Sequence, residues 1–554
     1  FSVDWLFAAC APDTELLPWN AQFTPVDLPH DWQIRHADDL YRDGTLFYRK
    51  YFFVTDVPGT RRMLWFGGAY MDTTVFVNGT EVGQWKYGYT SFWFDITDAL
   101  HEGQNEVLVR CNLRHPNSRW YSGAGLYRNV ELWEAPDLHL MPDGLYVAAK
   151  EGDNGAWTVA VTAEAGSVTA AITGRTLTLH LTDDNGSLLG TAAIPADAWA
   201  ALPSPDGWRT GKETAIYKAS HTFTLQDPAL WDLDAPSFYH ITAELTGADG
   251  VTDTLTTRFG CRTIEATPDC GLLVNHKRVL IKGVCIHHDF GCLGSAFEYS
   301  AAKRQLEILK SMGVNSIRTG HTPPAPQFMD LADEMGILMD VESFDCWRSG
   351  KNPYDYGRFF DEWQEKDVAA WIRRDRNHPS LLFWCIGNEI YDTHAGSEGA
   401  DTMRMLLAEV AAHDPARNGI PTLGSNYMPW ENTQHCADII KVAGYNYGER
   451  LYASHHEKHP DWVIYGSETS SIVQSRGIYH FPLSQSLLSD DDLQCSSLGN
   501  SRTSWGAESW DVCLQSEQRW PFTLGQYLWT GWDYIGEPTP YHTVSYTHLR
   551  AHET

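Results

Sequence analysis

VLIKGVCIHH (279–288), SAAKRQLEILKSMG (300–313) and VNSIR (314–318) decide the fold. The first is a short run rich in Val and Ile that reads as a buried strand. The second places Ala302, Leu306 and Leu309 on one helical face, with Ser300 as candidate N-cap and Gly313 as its stop, and the third is a strand again. The rhythm continues through ILMDV (337–341), LLFWCI (381–386), PTLG (421–424), KVAGY (441–445), VIYGS (463–467) and GQYLW (525–529), with helix-like or loop stretches between them. Eight such strands predict a (β/α)8 TIM barrel, whose chemistry belongs at the C-terminal ends of its strands. An open doubly wound sheet is the alternative, but no GxGxxG opens any of these units.

Upstream, to about residue 262, the pattern is β throughout. TTVFVNGTEVG (73–83) sets Asn78-Gly79 between two short β-rich runs, a strong hairpin signal. EVLVRCNL (106–113) and RTLTLHL (175–181) alternate with period two, the latter followed by the turn DDNG (183–186). Many short strands with Gly, Asn and Asp turns imply β-sandwiches, and a break near Ala135-Pro136 divides them. The expected domains are residues 1–135, 136–264 and 265–543.

The chain has 554 residues, 43% of them apolar, enough for several cores. Its 41 Lys and Arg against 71 Asp and Glu give a net charge of −30, which repels phosphate backbones and anionic lipid, so neither nucleic acid nor a membrane surface is an expected partner. No window reaches the roughly 18 apolar residues of a spanning helix. Eleven cysteines, several inside strand-like runs (Cys111, Cys285, Cys385), read as buried thiols of a reducing compartment and favour the cytoplasm. The opening begins at Phe and does not read as a signal peptide, so localisation stays open. Twenty-three Trp, 25 Tyr and 22 Phe would serve core packing, and in a cleft would suit sugar rings.

Polar and aromatic residues gather where the apolar strands end. Strand one ends in His287-His288-Asp289, strand two in Arg318 and His321, strand three in Glu342 and strand four in Asn388-Glu389. Strand six ends in Asn446-Tyr447, strand seven in Glu468, and strand eight in Trp529 and Trp532-Asp533. On the barrel reading they share one mouth. Two carboxylates in a sugar-lined cleft are what glycosidic cleavage needs, and Glu389 and Glu468 are the best-placed pair. The bland reading makes each a strand-end ion-pair partner.

The strings IKGVCIHHD (281–289), NSIRTGHTPPAP (315–326), RRDRNHPSLLFWCIGNEI (373–390), GYNY (444–447), YGSETSS (465–471) and LWTGWDYIGEP (528–538) resemble glycoside hydrolase family 2, the β-galactosidase and β-glucuronidase family. LPHDWQI (28–34), YGYTSFWFDIT (87–97) and NSRWYSGAGLYRNVELW (117–133) resemble its N-terminal jelly roll, and the wording of GVCIHHD and WTGWDYIGEPTPYHT most resembles that of the bacterial β-galactosidase branch. The resemblance implies a jelly-roll sugar-binding domain, an immunoglobulin-like β-sandwich and a catalytic barrel. It also implies Glu389 as general acid/base, Asn388 on the sugar 2-hydroxyl and Glu468 as nucleophile. His287, Arg318, His321, Tyr447 and Trp529 fall on substrate positions, with Tyr445 as an alternative to Tyr447, and Glu342, Asp289 and Trp532 are supporting residues. Arg318 beside Glu468 would keep the nucleophile ionised. Magnesium-dependent members carry a histidine two residues after the Glu of strand three, where Phe344 stands here, so the resemblance gives no support for a structural magnesium. No cofactor is expected.

The last residues, VSYTHLRAHET (544–554), show neither strand period nor helical face, resemble translated sequencing-adapter read-through, and are expected to be non-native. On that reading the natural chain continues past Thr543, and this one lacks the barrel's last helix and its closure. The same stretch is where β-glucuronidases of the family grip the sugar carboxylate. The expected function is a retaining exo-β-glycosidase acting on β-linked glycosides, foremost β-galactosides. A β-glucuronidase or β-galacturonidase, or a non-catalytic carbohydrate-binding fragment, is the alternative. Assembly as a homo-oligomer is compatible with this reading.

Overall fold

The structure is a computed structural model that describes residues 1–535 apart from short stretches at 37–38, 56–58, 170–171, 203–206, 248–249, 472–476, 486, 489–495 and 504–505. The first unit is a sandwich. A six-stranded sheet, in the order Thr24–Val26, Trp5–Cys10, Gly44–Val54, Gly103–Leu113, Thr73–Val77 and Thr80–Trp85, faces a three-stranded sheet of Phe92–Asp95, Thr60–Phe66 and Val130–Pro136. The Asn78-Gly79 hairpin forms as read, with φ of +49° and +79°, the two left-handed residues a type I′ turn needs. Along Gly103–Leu113 alternate residues Val107, Val109, Cys111 and Leu113 are wholly buried, so the period-two pattern does set the core face.

A second sandwich pairs a sheet built on Ala156–Ser167 and Ala215–Gln226 with a four-stranded sheet in the order Leu188–Pro195, Thr176–Asp183, Tyr239–Gly247, Gly250–Phe259. Leu177, Leu179 and Leu181, the alternating residues of RTLTLHL, lie in its core. A small antiparallel sheet, Ile264–Thr267, Gly271–Val274 and Lys277–Val279, then precedes the barrel, and its Leu272 and Val274 pack with Leu524 and Tyr527.

The barrel strands are β1 (Ile281–Ile286), β2 (Ser316–Thr319), β3 (Leu338–Glu342), β4 (Leu381–Asn388), β5 (Ile420–Ser425), β6 (Val442–Asn446), β7 (Val463–Ser470) and β8 (Gly525–Trp529). All neighbours are parallel, and β8 pairs with both β7 and β1, so the barrel is closed. The expected loss of closure is therefore corrected: closing needs only the backbone of β8, which GQYLW supplies. The helix expected after β8 and the tail 544–554 lie outside the described residues. The first helix, Tyr299–Ser311, buries Ala302, Leu306 and Leu309, but its cap is Glu298, whose carboxylate accepts the Ser300 N–H; Ser300 sits in the first turn.

One hydrophobic core runs from the first sandwich into the barrel's outer layer, joining Tyr87, Tyr89 and Trp120 to Phe344, Tyr356 and Phe360. Thr90 Oγ1 donates to Asp367 Oδ1 at 2.7 Å and Arg128 Nη2 to the Pro323 carbonyl at 2.9 Å across the same interface. The sandwich is thus locked against the barrel beside its mouth. Among the described residues, ten cysteines are free thiols and no helix is long and apolar enough to cross a membrane.

Candidate active site

Strand ends deliver the polar residues into one mouth. Arg318, wholly buried on β2, is the hub: Nη1 donates to Glu468 Oε1 at 2.8 Å, Nη2 to Asn388 Oδ1 at 2.9 Å, and Nη2 also meets Glu342. The barrel makes room for it with Gly424 on β5, where a Cβ would stand 2.7 Å from Arg318 Nη2. Glu342 also shares a hydrogen bond with His321 Nδ1 at 2.6 Å. Asp340, Glu342 and Glu468 crowd one guanidinium, and a low-dielectric interior does not hold three anions on one cation. Burial accordingly pushes Glu342 well above the ordinary carboxyl range and Asp340 up to about 6. Glu468 is also raised, chiefly by burial, while Arg318 pulls it back down.

Glu468, at the end of β7, receives a second hydrogen bond from the Tyr447 hydroxyl to Oε2 at 2.8 Å. Tyr445 instead bonds His455 Nδ1 at 2.9 Å, so of the two tyrosines of GYNY it is Tyr447 that contacts Glu468; residues two apart share a face on a regular strand, but β6 ends at Asn446 and Tyr447 turns with φ +54°. Glu389 and Tyr447 both adopt left-handed backbone, φ +47° and +54°, which costs a non-glycine residue about 1–3 kcal/mol. Backbone bonds hold each turn, Glu389 N–H to the Gly424 carbonyl at 2.9 Å and Tyr447 N–H to the Glu468 carbonyl at 2.8 Å.

The two carboxylates belong to one network. Asn446 Nδ2 donates to Glu389 Oε1 at 3.1 Å and to Asn388 Oδ1 at 3.0 Å, and Asn388 reaches Glu468 through Arg318. The other oxygen of Glu389 accepts from Arg119 Nη1 at 3.1 Å, on a loop of the first sandwich. Arg119 also grips Asp345 with Nε at 2.9 Å and Nη2 at 2.6 Å, and Lys351 and Asn388 complete that carboxylate's shell at 2.8 and 3.0 Å. These cations hold Asp345 well below the usual carboxylate range despite its burial.

The aromatic wall stands on the Glu468 side. His321 stacks on Trp529 with centroids 5.2 Å apart and planes 5° apart, and His287 lies between Trp120, 5.2 Å away, and Tyr534, 4.2 Å away. Burial lowers both imidazoles well below the ordinary histidine range, so they face the mouth uncharged.

Eight sequence-predicted residues, His287, Arg318, His321, Glu342, Asn388, Glu389, Tyr447 and Glu468, therefore meet, with Trp529 at their edge. Asp289 and Trp532 do not join them. Asp289 turns back to cap the Gly291 N–H at 3.1 Å and, buried, is raised to about 7; Trp532 packs against the core shared with the sandwich. β1 ends at Ile286, so strand alternation no longer directs these residues: His287 stays among the mouth's rings, His288 bonds the Ser122 carbonyl and Asp289 turns back into its own loop. Phe344 stacks on Tyr356 at 5.1 Å and offers no metal ligand, while the nearby carboxylates Asp345 and Glu389 are bridged by Arg119. The metal-capable group among the described residues, Asp330, Asp333 and His378, lies elsewhere, with Asp333 already bound by Arg258 and His378.

Arg119, Asp345 and Lys351 were missed as site residues, and Asn446, read into the mouth at the end of β6, was given no role there. Arg119 sat inside NSRWYSGAGLY, but 270 positions separate it from Glu389.

Two family descriptions match the chain: the family 2 glycosyl hydrolase TIM barrel domain over residues 266–456, and the domain "Glycosyl hydrolases family 2" over residues 144–262. A β-galactosidase of Bacteroides ovatus is 33% identical over 98% of this chain and 68% of its own. The chain belongs to glycoside hydrolase family 2. Its relatives include a β-glucuronidase of Bacteroides fragilis, 26% identical over 93% of this chain and 75% of that protein. The crystal structure of a family 2 member from Bacteroides cellulosilyticus superposes with a TM-score of 0.81 at 28% identity, covering 97% of this chain and 65% of that one. The chain thus spans about two thirds of the length of these Bacteroides ovatus and Bacteroides cellulosilyticus relatives.

Proposed function

We propose that this chain carries the catalytic centre of a retaining exo-β-glycosidase that removes terminal β-galactosyl units. The observation that carries the reading is the pairing of Glu389 and Glu468 at the ends of β4 and β7, joined by the Asn446–Asn388–Arg318 chain yet differently dressed. Glu468, with Arg318 on one oxygen and the Tyr447 hydroxyl on the other, is held as an oriented carboxylate and serves as nucleophile. Glu389 serves as acid and then base.

In the first step Glu468 attacks the anomeric carbon while Glu389 gives its proton to the glycosidic oxygen. The aglycone leaves as a neutral alcohol and the sugar stays as an ester of Glu468. In the second step Glu389 takes a proton from water, whose oxygen displaces Glu468. Two inversions restore the β configuration. No step needs a cofactor.

The galactoside preference is supported by the Bacteroides ovatus β-galactosidase, 33% identical over 98% of this chain, whereas a putative β-glucuronidase of Formosa agariphila is as identical over only 66% of it.

The test has two arms. A 2-deoxy-2-fluoro-β-galactosyl fluoride should inactivate the protein and add one glycosyl mass to the peptide holding Glu468; a label on any other residue would sink the assignment. Nitrophenyl β-galactoside should be cleaved at least tenfold faster than the glucuronide and galacturonide, and the reverse order would replace the galactoside reading.

A further inference from the structure

The loops that leave the mouth beside Glu389 carry an aromatic surface that the chemistry above does not use. Because the Glu389 N–H is bound to the Gly424 carbonyl, the segments after β4 and β5 emerge side by side. Tyr391 and His394 stand on the first segment, Tyr427 and Trp430 on the second. Hydrogen bonds from the Trp430 N–H to the Tyr427 carbonyl at 2.9 Å and from the Tyr427 N–H to Ser425 Oγ at 3.0 Å shape the second segment, while Asn432 Nδ2, donating to the His394 carbonyl at 3.2 Å, and the Thr393 and Thr433 hydroxyls, 3.5 Å apart, tie it to the first.

The four rings form a continuous strip. His394 lies 4.1 Å from Tyr427 and 5.3 Å from Trp430, and Tyr391 lies 6.2 Å from Tyr427. It runs from half-buried Tyr427 outward to Tyr391, 39% exposed, and Trp430, 54% exposed. Tyr427 is close enough to Glu389 to feel its charge, which adds to burial in pushing the phenol up to about 12. Trp529, His321 and His287 line the Glu468 side, so the mouth has two aromatic walls, one beside each carboxylate.

Resting on the assignment of Glu389 as acid, we propose that Tyr391, His394, Tyr427 and Trp430 form the aglycone site, where the ring of the leaving group stacks. The carboxylate that protonates the glycosidic oxygen must border the departing alcohol, and a flat apolar strip with polar edges matches a pyranose face or an aryl ring. The site would favour substrates whose leaving group carries a ring, with lactose-like disaccharides as the natural class and aryl glycosides as their surrogates.

The experiment compares β-galactosyl fluoride, whose leaving group has no ring, with nitrophenyl β-galactoside and lactose, in the unaltered chain and in Trp430→Ala, Tyr427→Ala and Trp430→Phe. The alanine variants should lose about tenfold in kcat/KM on the two ring-bearing substrates, mostly through KM, and no more than about twofold on the fluoride. Trp430→Phe should recover most of the loss. Equal losses on all three substrates, or none on any, would overturn the site while leaving the glycosidase reading intact. If the unaltered chain turned over neither the fluoride nor the nitrophenyl glycoside, both would fall together.

Discussion

Replacing Arg318 by methionine removes the cation from the centre of the site while keeping much of its bulk, so the expected loss is electrostatic before it is steric. Nη1 lies 2.8 Å from Glu468 Oε1 and the side chain is wholly buried. With charge centres about 4 Å apart and an effective dielectric constant of about 20, the pair is worth about 4 kcal/mol, which moves an ionisation equilibrium by roughly a thousandfold. Burial already holds the Glu468 carboxyl above its ordinary range and Arg318 works against that. Without it the carboxyl holds its proton more tightly. In Arg318→Met, kcat/KM at neutral pH should fall about 10²- to 10³-fold, and the acid limb of its pH profile should move to higher pH.

Stability should run the other way. The fold of Arg318→Met would keep protons on Glu342 and Glu468 that the unfolded chain, with carboxyls near about pH 4.3, gives up. Since the folded state then binds more protons, stability falls as pH rises from that value toward the raised folded ones. The assay is kcat/KM on nitrophenyl β-galactoside from pH 5 to 9, with thermal unfolding over the same range. A folded variant with the unaltered acid limb, or a loss constant across pH, would refute the charge argument.

Glu389→Ala should retain far more activity on activated aryl glycosides than on lactose, and added azide should yield a β-galactosyl azide seen by mass spectrometry. Glu468→Ala should be nearly inactive on both; equal losses in the two variants on every substrate would contradict the division of roles. Tyr447→Phe deletes the 2.8 Å hydrogen bond to Glu468 Oε2 and should lower kcat about 10- to 100-fold with thermal stability within a few degrees. Gly424→Ala, far from a conservative change here, should displace Arg318 and cost at least tenfold in kcat/KM, because its Cβ would stand 2.7 Å from Nη2; unchanged kinetics would show that the guanidinium can shift freely.

The strands of the barrel were legible because each is a short apolar run buried on both sides, and eight of them leave few alternatives. Their ends were legible for the same reason, since a charged residue closing such a run has to face the mouth or solvent. Sequence did not distinguish those two outcomes, which is how Asp289 and Trp532 came to be grouped with His287 and Trp529. Nor could spacing reveal partners brought together only by docking: Asp345 follows Glu342 by three positions but acquires its meaning from Arg119, which lies on another sheet's loop. The helix cap was misplaced on Ser300 because hydroxyl residues lead the N-cap preference, whereas here the carboxylate two positions earlier reaches the free N–H.

Arg119 gives the acid/base a divided parentage. One oxygen of Glu389 is held by Asn446 of the barrel and the other by a guanidinium from the sandwich, so neither unit alone fixes the carboxylate. The acid/base is thus set only where the two units meet, and a substitution on the sandwich loop that carries Arg119 registers as a kinetic defect of the barrel.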